Sequence, residues 1–181
     1  AYLRETGDFE WLEEQVPFAD EGRGSVYDHL KRAIDFSWSK RGDHGFCLGL
    51  AADWNDCLNL RGKGETLFST FLLLRGMNDF LEIAQRASGQ DPSRQQDVER
   101  YGRLKEKLLA DIAEHAWDGD WFLRGYLDSG RKLGSKESEG SIIFLNTQTW
   151  AVLSEAAPRE LLVRAMDSVH EHLATEHGAV L

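Results

Sequence analysis

The sequence predicts an all-α protein, part of an α/α toroid with long Gly-rich loops and short β pieces. Three observations carry this. Apolar residues recur at helical spacing along most of the chain. A helix that is apolar over a wide arc (65–87) is followed by one whose outer face is densely charged (92–117), as an inner and an outer helix would be. Glycine- and aspartate-rich segments separate the helices, and in such a barrel those loops build one functional face.

Taken in order, residues 2–6 read as the last turn of a helix stopped by Gly7, and Phe9 to Val16 as a short helix stopped by Pro17. Residues 18–24 have turn chemistry. Ser25 then caps a helix with Val26, Leu30, Ala33 and Ile34 on one face. From Gly42 to Gly64 five glycines interrupt any sustained period. The next helix, from about Glu65 to Ala87, carries Leu67, Phe68, Phe71, Leu72, Leu74, Phe80, Leu81 and Ile83. Pro92 opens the charged helix that runs to about Trp117. Residues 117–141 hold strand-like pieces, Trp121 to Tyr126 among them, between Gly and Asp turns. Asn146 reads as the N-cap of a helix from Thr147 to Ala156. Pro158 starts another from Arg159 to about Thr175, with Leu161, Leu162, Ala165, Met166 and Val169 inward. No linker divides the chain into two domains.

Composition narrows the function. The 181 residues carry a net charge of −10 and 41% apolar residues, which suits a packed domain and opposes binding to phosphodiester backbones or anionic membranes. No basic stripe with interleaved aromatics is present, so nucleic acid is not expected as a partner. No apolar run reaches the roughly 18 residues that span a bilayer. Cys47 and Cys57 fit no zinc spacing and read as reduced thiols of a cytoplasmic enzyme. The chain begins at Ala1 without an initiator Met, and it reads as a piece of something longer.

One segment concentrates unusual residues: Ala52-Asp53-Trp54-Asn55-Asp56-Cys57-Leu58-Asn59, in a loop before the apolar helix. A glycosidic bond breaks when a carboxylic acid protonates the leaving oxygen while charge builds on the sugar ring. A ring such as Trp54 offers the sugar a face, and by excluding water it raises the acid's pKa into a useful range. The same residues also suit a structural turn, with Asp53 as an Asx-turn or cap and Trp54 in the core. Spacing alone does not choose between the two.

This segment resembles the catalytic loop of glycoside hydrolase family 94, the cellobiose, cellodextrin, chitobiose and laminaribiose phosphorylases. The likeness runs along the whole chain, through Tyr2–Asp8, Val26–Ile34, His44-Gly45, Gly62–Glu65, Trp117–Tyr126, Phe144–Ala151 and Ala165–Val169. The resemblance implies that Asp56 is the general acid, that Trp54 lines the donor subsite, and that Arg124 and Gln148 face the same cleft. It gives Asp53 no catalytic role. His44 reads as a hydrogen-bonded turn residue, and no metal is expected.

The implied reaction is inverting phosphorolysis of a β-linked glucose disaccharide such as cellobiose to α-glucose 1-phosphate. Inorganic phosphate is a co-substrate, and no cofactor is expected. Phosphate arrives already anionic, so one carboxylate suffices where a hydrolase needs a second as base. The relatives implied are longer, with an upstream β-sandwich, the remainder of an (α/α)6-barrel downstream, and often a homodimeric assembly. Residues 1–181 then form part of one catalytic barrel domain, inactive when isolated. The alternatives are a cellobionic acid, cellodextrin or laminaribiose phosphorylase, or a carbohydrate-binding helical module without turnover. A hydrolase would need a base, for which Glu137 or Glu139 is the local candidate.

Overall fold

The computed structural model describes residues 1–181 apart from Ala52, Asp56, Cys57, Gln90, Pro92 and Leu181. Among the described residues there are six α-helices and seven short strands. The helices are α1 (Tyr2–Thr6), α2 (Val26–Ser39), α3 (Leu67–Ser88), α4 (Ser93–His115), α5 (Leu145–Ser154) and α6 (Arg159–Leu173). Helix α3 packs against α2, α4 and α5, and α6 packs on α5. Thus α3–α4 and α5–α6 form two consecutive helix pairs joined through α3 and α5. None of these helices is long and apolar enough to cross a membrane.

The helix periods predict the core well. Along α3, Leu67, Phe71, Leu74, Met77 and Ala84 have no exposed surface, and Phe68, Leu73, Phe80 and Ala87 are also buried. Burial over so wide an arc comes from packing against three helices at once. In α4, Tyr101, Leu108 and Ile112 are buried while Glu99, Arg100, Arg103, Glu106 and Lys107 face water. Its expected start at Pro92 lies outside the described residues. Helix α1 ends at Gly7, whose φ of 69° is open to glycine at little cost. Ser25 and Asp28 form a reciprocal capping box at the start of α2: Ser25 Oγ accepts from the Asp28 N–H at 3.1 Å, and Asp28 Oδ2 accepts from the Ser25 N–H. On that helix Tyr27 is buried and Ala33 is exposed, so the inward face is Val26, Tyr27, Leu30 and Ile34.

Three local expectations are corrected. Phe9 to Val16 is not one helix but a 3-10 turn over Glu10–Glu13 followed by strand β1 (Gln15–Pro17), which pairs antiparallel with β2 (Arg23–Ser25). Hairpin pairing captures backbone groups that a helix this short would leave open. Of Trp121–Tyr126, only Gly125–Tyr126 form a strand, β4; it lies between β3 (Glu65–Thr66) and β5 (Lys132–Leu133). Helix α5 begins at Leu145 rather than Thr147, and Phe144 occupies the cap position. Asn146 is drawn away from capping because its amide donates to Asn55 Oδ1 at 3.1 Å. A last hairpin, β6 (Ala174–Thr175) with β7 (Gly178–Ala179), follows α6.

The three-stranded sheet ties the start of α3 to the segment after α4. Residue 125 must be glycine, since a Cβ there would run into the Glu65 carbonyl oxygen across the ladder. Cys47 is a free, buried thiol, and Cys57 lies outside the described residues. Burial pushes the Cys47 thiol up to about 11 from an ordinary 9.0. Its proton is therefore held in the folded protein, and this contribution to stability is complete below pH 9.0 and lost as pH rises through about 11. Iodoacetamide labelling of the native protein at pH 8, read at peptide level, should leave Cys47 unmodified until denaturant is added. Rapid native labelling would contradict this placement.

Candidate active site

The candidate loop is pinched at its base. Gly49 N–H donates to the Gly64 carbonyl at 2.9 Å, and Gly64 N–H donates to Asp128 Oδ1 at 2.6 Å. Leu60, 3% exposed, roots the far arm in the interior. Between these ties the described residues Asp53, Trp54 and Asn55 form the tip of the loop. Within it Asp53 Oδ1 accepts from the Asn55 N–H at 3.0 Å, an Asx-turn, and Leu58 N–H donates to the Asn55 carbonyl at 2.8 Å.

Arg124 sits beneath this tip. It is buried like Leu123 before it, and its neighbour Gly125 enters the sheet. Its guanidinium pairs with Asp53, donates from Nη2 to Asn55 Oδ1 at 3.0 Å, and donates from Nη1 to Thr66 Oγ1 at 2.7 Å. The side chains of Arg124 and Asp53 have no exposed surface. Asp53 Oδ2 is buried with no hydrogen-bond partner among the described residues. Asn146, at the start of α5, reaches the same Asn55 Oδ1 from the other side.

Trp54 stands outward, 73% exposed, with its ring 5.9 Å from that of Phe68 at 21°. Phe68 in turn meets Trp150 edge-on at 5.9 Å and carries the Arg124 guanidinium 5.7 Å from its centroid. An aromatic face with buried support and open solvent above it can take the apolar face of a sugar. Asp56, the expected acid, lies outside the described residues; its described chain neighbour Asn55 is anchored from two sides.

Arg124 and Gln148, expected to face the cleft, are both buried, at 1% and 0% exposure. Gln148 Oε1 accepts from the Phe122 N–H, and Nε2 donates to the Phe122 carbonyl at 2.8 Å and the Phe144 carbonyl at 3.3 Å. It thereby fixes the backbone two residues before Arg124 rather than joining the cluster at the tip. His44 is a hydrogen-bonded turn residue. Its Nδ1 lies 2.5 Å from Glu65 Oε2, and its ring stacks on Tyr126 at 3.7 Å. Glu65 and Thr66 are adjacent in β3, so their side chains take opposite faces of the strand: Glu65 holds His44 while Thr66 holds Arg124. Glu137 and Glu139 are exposed to solvent. Among the described residues, no three His, Cys, Asp or Glu gather as a metal ion would require.

The sequence marks the run that holds Asn55 but not the parts that Thr66, Phe68, Asn146 and Trp150 take in this arrangement. Asn55 and Asn146 lie 91 positions apart, and nothing local marks their contact.

A model of the glycosyl hydrolase 94 superfamily catalytic domain matches residues 1–181. A solabiose phosphorylase of Paenibacillus borealis is 38% identical over 181 residues, covering 98% of this chain and 23% of that protein. An N,N'-diacetylchitobiose phosphorylase of Vibrio proteolyticus is 39% identical over 179 residues, 98% of this chain and 22% of its own length. A cellobionic acid phosphorylase of Neurospora crassa is 32% identical over 181 residues, again 98% and 22%. The chain therefore spans less than a quarter of the length of these relatives.

Proposed function

The chain belongs to the glycosyl hydrolase 94 superfamily, as a stretch of its catalytic domain, and on that premise we propose that it supplies the general acid of an inverting disaccharide phosphorylase. Asp56 is that acid and Trp54 a wall of the donor-sugar subsite. The observation that carries the reading is Trp54, exposed on a buried aromatic platform, one residue from an anchored Asn55 and two from Asp56. The three named relatives are phosphorylases, each of a different disaccharide.

In the proposed reaction a phosphate oxygen attacks the anomeric carbon from the face opposite the leaving sugar. The glycosidic C–O bond breaks, and the Asp56 carboxyl proton passes to the departing oxygen. The products are an α-sugar 1-phosphate and a free acceptor sugar; the Asp56 carboxylate is reprotonated from solvent. Phosphate is anionic at neutral pH, so no second carboxylate need act as base. The two helix pairs α3–α4 and α5–α6 are then inner–outer pairs of one catalytic α/α-barrel, with a β-sandwich upstream and the phosphate-binding residues downstream. Exposed Leu72, Leu153 and Val163 fall on faces that further barrel helices would cover.

The full reading frame, purified and offered cellobiose, cellobionic acid, laminaribiose and N,N'-diacetylchitobiose with phosphate, tests the reading. Cellobiose is the first to try. One β-linked disaccharide should yield a sugar 1-phosphate whose anomeric proton has the α configuration by NMR. A β-configured product would rule out the inverting mechanism, and silence on every β-linked disaccharide would favour a binding module.

A further inference from the structure

We infer that Arg124, together with Asn146, is a positioning residue that sets where the general acid stands, and is not a sugar ligand. The inference rests on the reading of Asp56 as that acid. Three observations converge. Arg124 is 1% exposed, so its guanidinium has no surface to offer a sugar. Its donors go to both described polar side chains on the near side of the acid in sequence, Asp53 and Asn55. Asn146 binds the same Asn55 oxygen from α5, an element with no covalent tie to the Arg124 segment for twenty residues of chain, counted roughly. Asn55 is one peptide step, about 3.8 Å, from Asp56.

The architecture gives the clamp its rigidity. Thr66 Oγ1 fixes the second arm of the guanidinium from β3, immediately before α3 begins. Gln148 fixes the backbone at Phe122, just upstream in the same segment. Sheet and α5 thus meet at Asn55 Oδ1, with donors at 3.0 and 3.1 Å. A planar fork can hold two acceptors and Thr66 together; a lysine ammonium carries the charge without the fork. Arg124→Lys should therefore keep Asp53 partly compensated and lose the registration of Asn55. Asn146→Ala removes the other donor from a half-buried site and leaves the ion pair in place.

The experiment compares two substrates on the full-length enzyme: the natural disaccharide, whose leaving sugar must be protonated, and a 2,4-dinitrophenyl β-glycoside of the same donor sugar, whose phenolate leaves unaided. Displacing a catalytic group by about 1 Å costs on the order of 10²-fold. Arg124→Lys should lower kcat on the disaccharide by about that factor, and Asn146→Ala by about 10-fold, with KM for sugar and phosphate little changed. On the activated glycoside both losses should shrink to a few-fold. Equal losses on the two substrates, or a raised sugar KM at unchanged kcat, would overturn the inference. Asp56→Asn runs alongside. If it recovers on the activated glycoside while Arg124→Lys does not, the positioning role fails and the acid stands. If Asp56→Asn does not recover, the acid reading itself fails.

Discussion

Asp56→Asn in the full-length enzyme should lower kcat for phosphorolysis by about 10² to 10⁴-fold while leaving the fold intact. That range is what a positioned proton donor contributes. A carboxamide matches the carboxyl in shape and still hydrogen-bonds, but it has no acidic proton for the leaving oxygen. The leaving group would then depart as an alkoxide, far more basic than water can stabilise in time. Sugar binding at Trp54 and phosphate binding elsewhere should persist, so the loss belongs in kcat and only weakly in KM. Steady-state release of sugar 1-phosphate, with binding measured separately by calorimetry, makes the check. A variant within a few-fold of the parent would move the acid to another residue.

Arg124→Ala should destabilise the domain by about 3–5 kcal/mol, the usual cost of leaving a buried charge without its partner. Asp53 has no exposed side-chain surface and one carboxylate oxygen already without a partner among the described residues. Its other oxygen would keep, among the described residues, the Asn55 N–H. Thr66 Oγ1 and Asn55 Oδ1 would each lose a donor, and Phe68 the guanidinium above it. Replacing both charges by apolar residues of similar volume, Asp53→Leu with Arg124→Met, should recover much of the loss, because no buried charge is then left alone. Denaturant midpoints for the two single variants and the double variant close the cycle. Simple additivity of the two single losses would mean that the pair contributes nothing as a pair.

Both predictions depend on a site only half legible in the sequence. The run Asp53-Trp54-Asn55-Asp56 stands out because two acids, a Trp and an Asn crowd a loop before an apolar helix. Helices α2, α3 and α4 stand out because their apolar residues keep a 3.6-residue period, and Ser25 with Asp28 marks a start within a turn of chain. What stayed hidden was decided over long separations. Arg124 meets Asn55 across 69 residues and Asn146 meets it across 91. Asn146 has the chemistry of an N-cap and would act as one in isolation; the tertiary hydrogen bond to Asn55 outcompetes the local one. Gln148 looks like a cleft-facing polar residue until its amide is seen bonded to the Phe122 backbone on both sides. The segment from Phe9 to Val16 has enough apolar residues for a short helix. A partner strand, Arg23–Ser25, is nevertheless close enough in sequence to draw its end, Gln15 and Val16, into a hairpin. In each case periodicity describes the residue, and the partner that settles its role lies elsewhere in the chain.

Phosphate as the nucleophile is what separates a phosphorylase from a hydrolase here. The direct measurement is the time course of products from the accepted disaccharide and the full-length protein, with inorganic phosphate present and with it removed. Sugar 1-phosphate and free acceptor sugar should appear in equal amounts with phosphate, and neither should appear without it. Release of two free sugars in the absence of phosphate would contradict this, because water would then be attacking and a second carboxylate acting as base would have to exist.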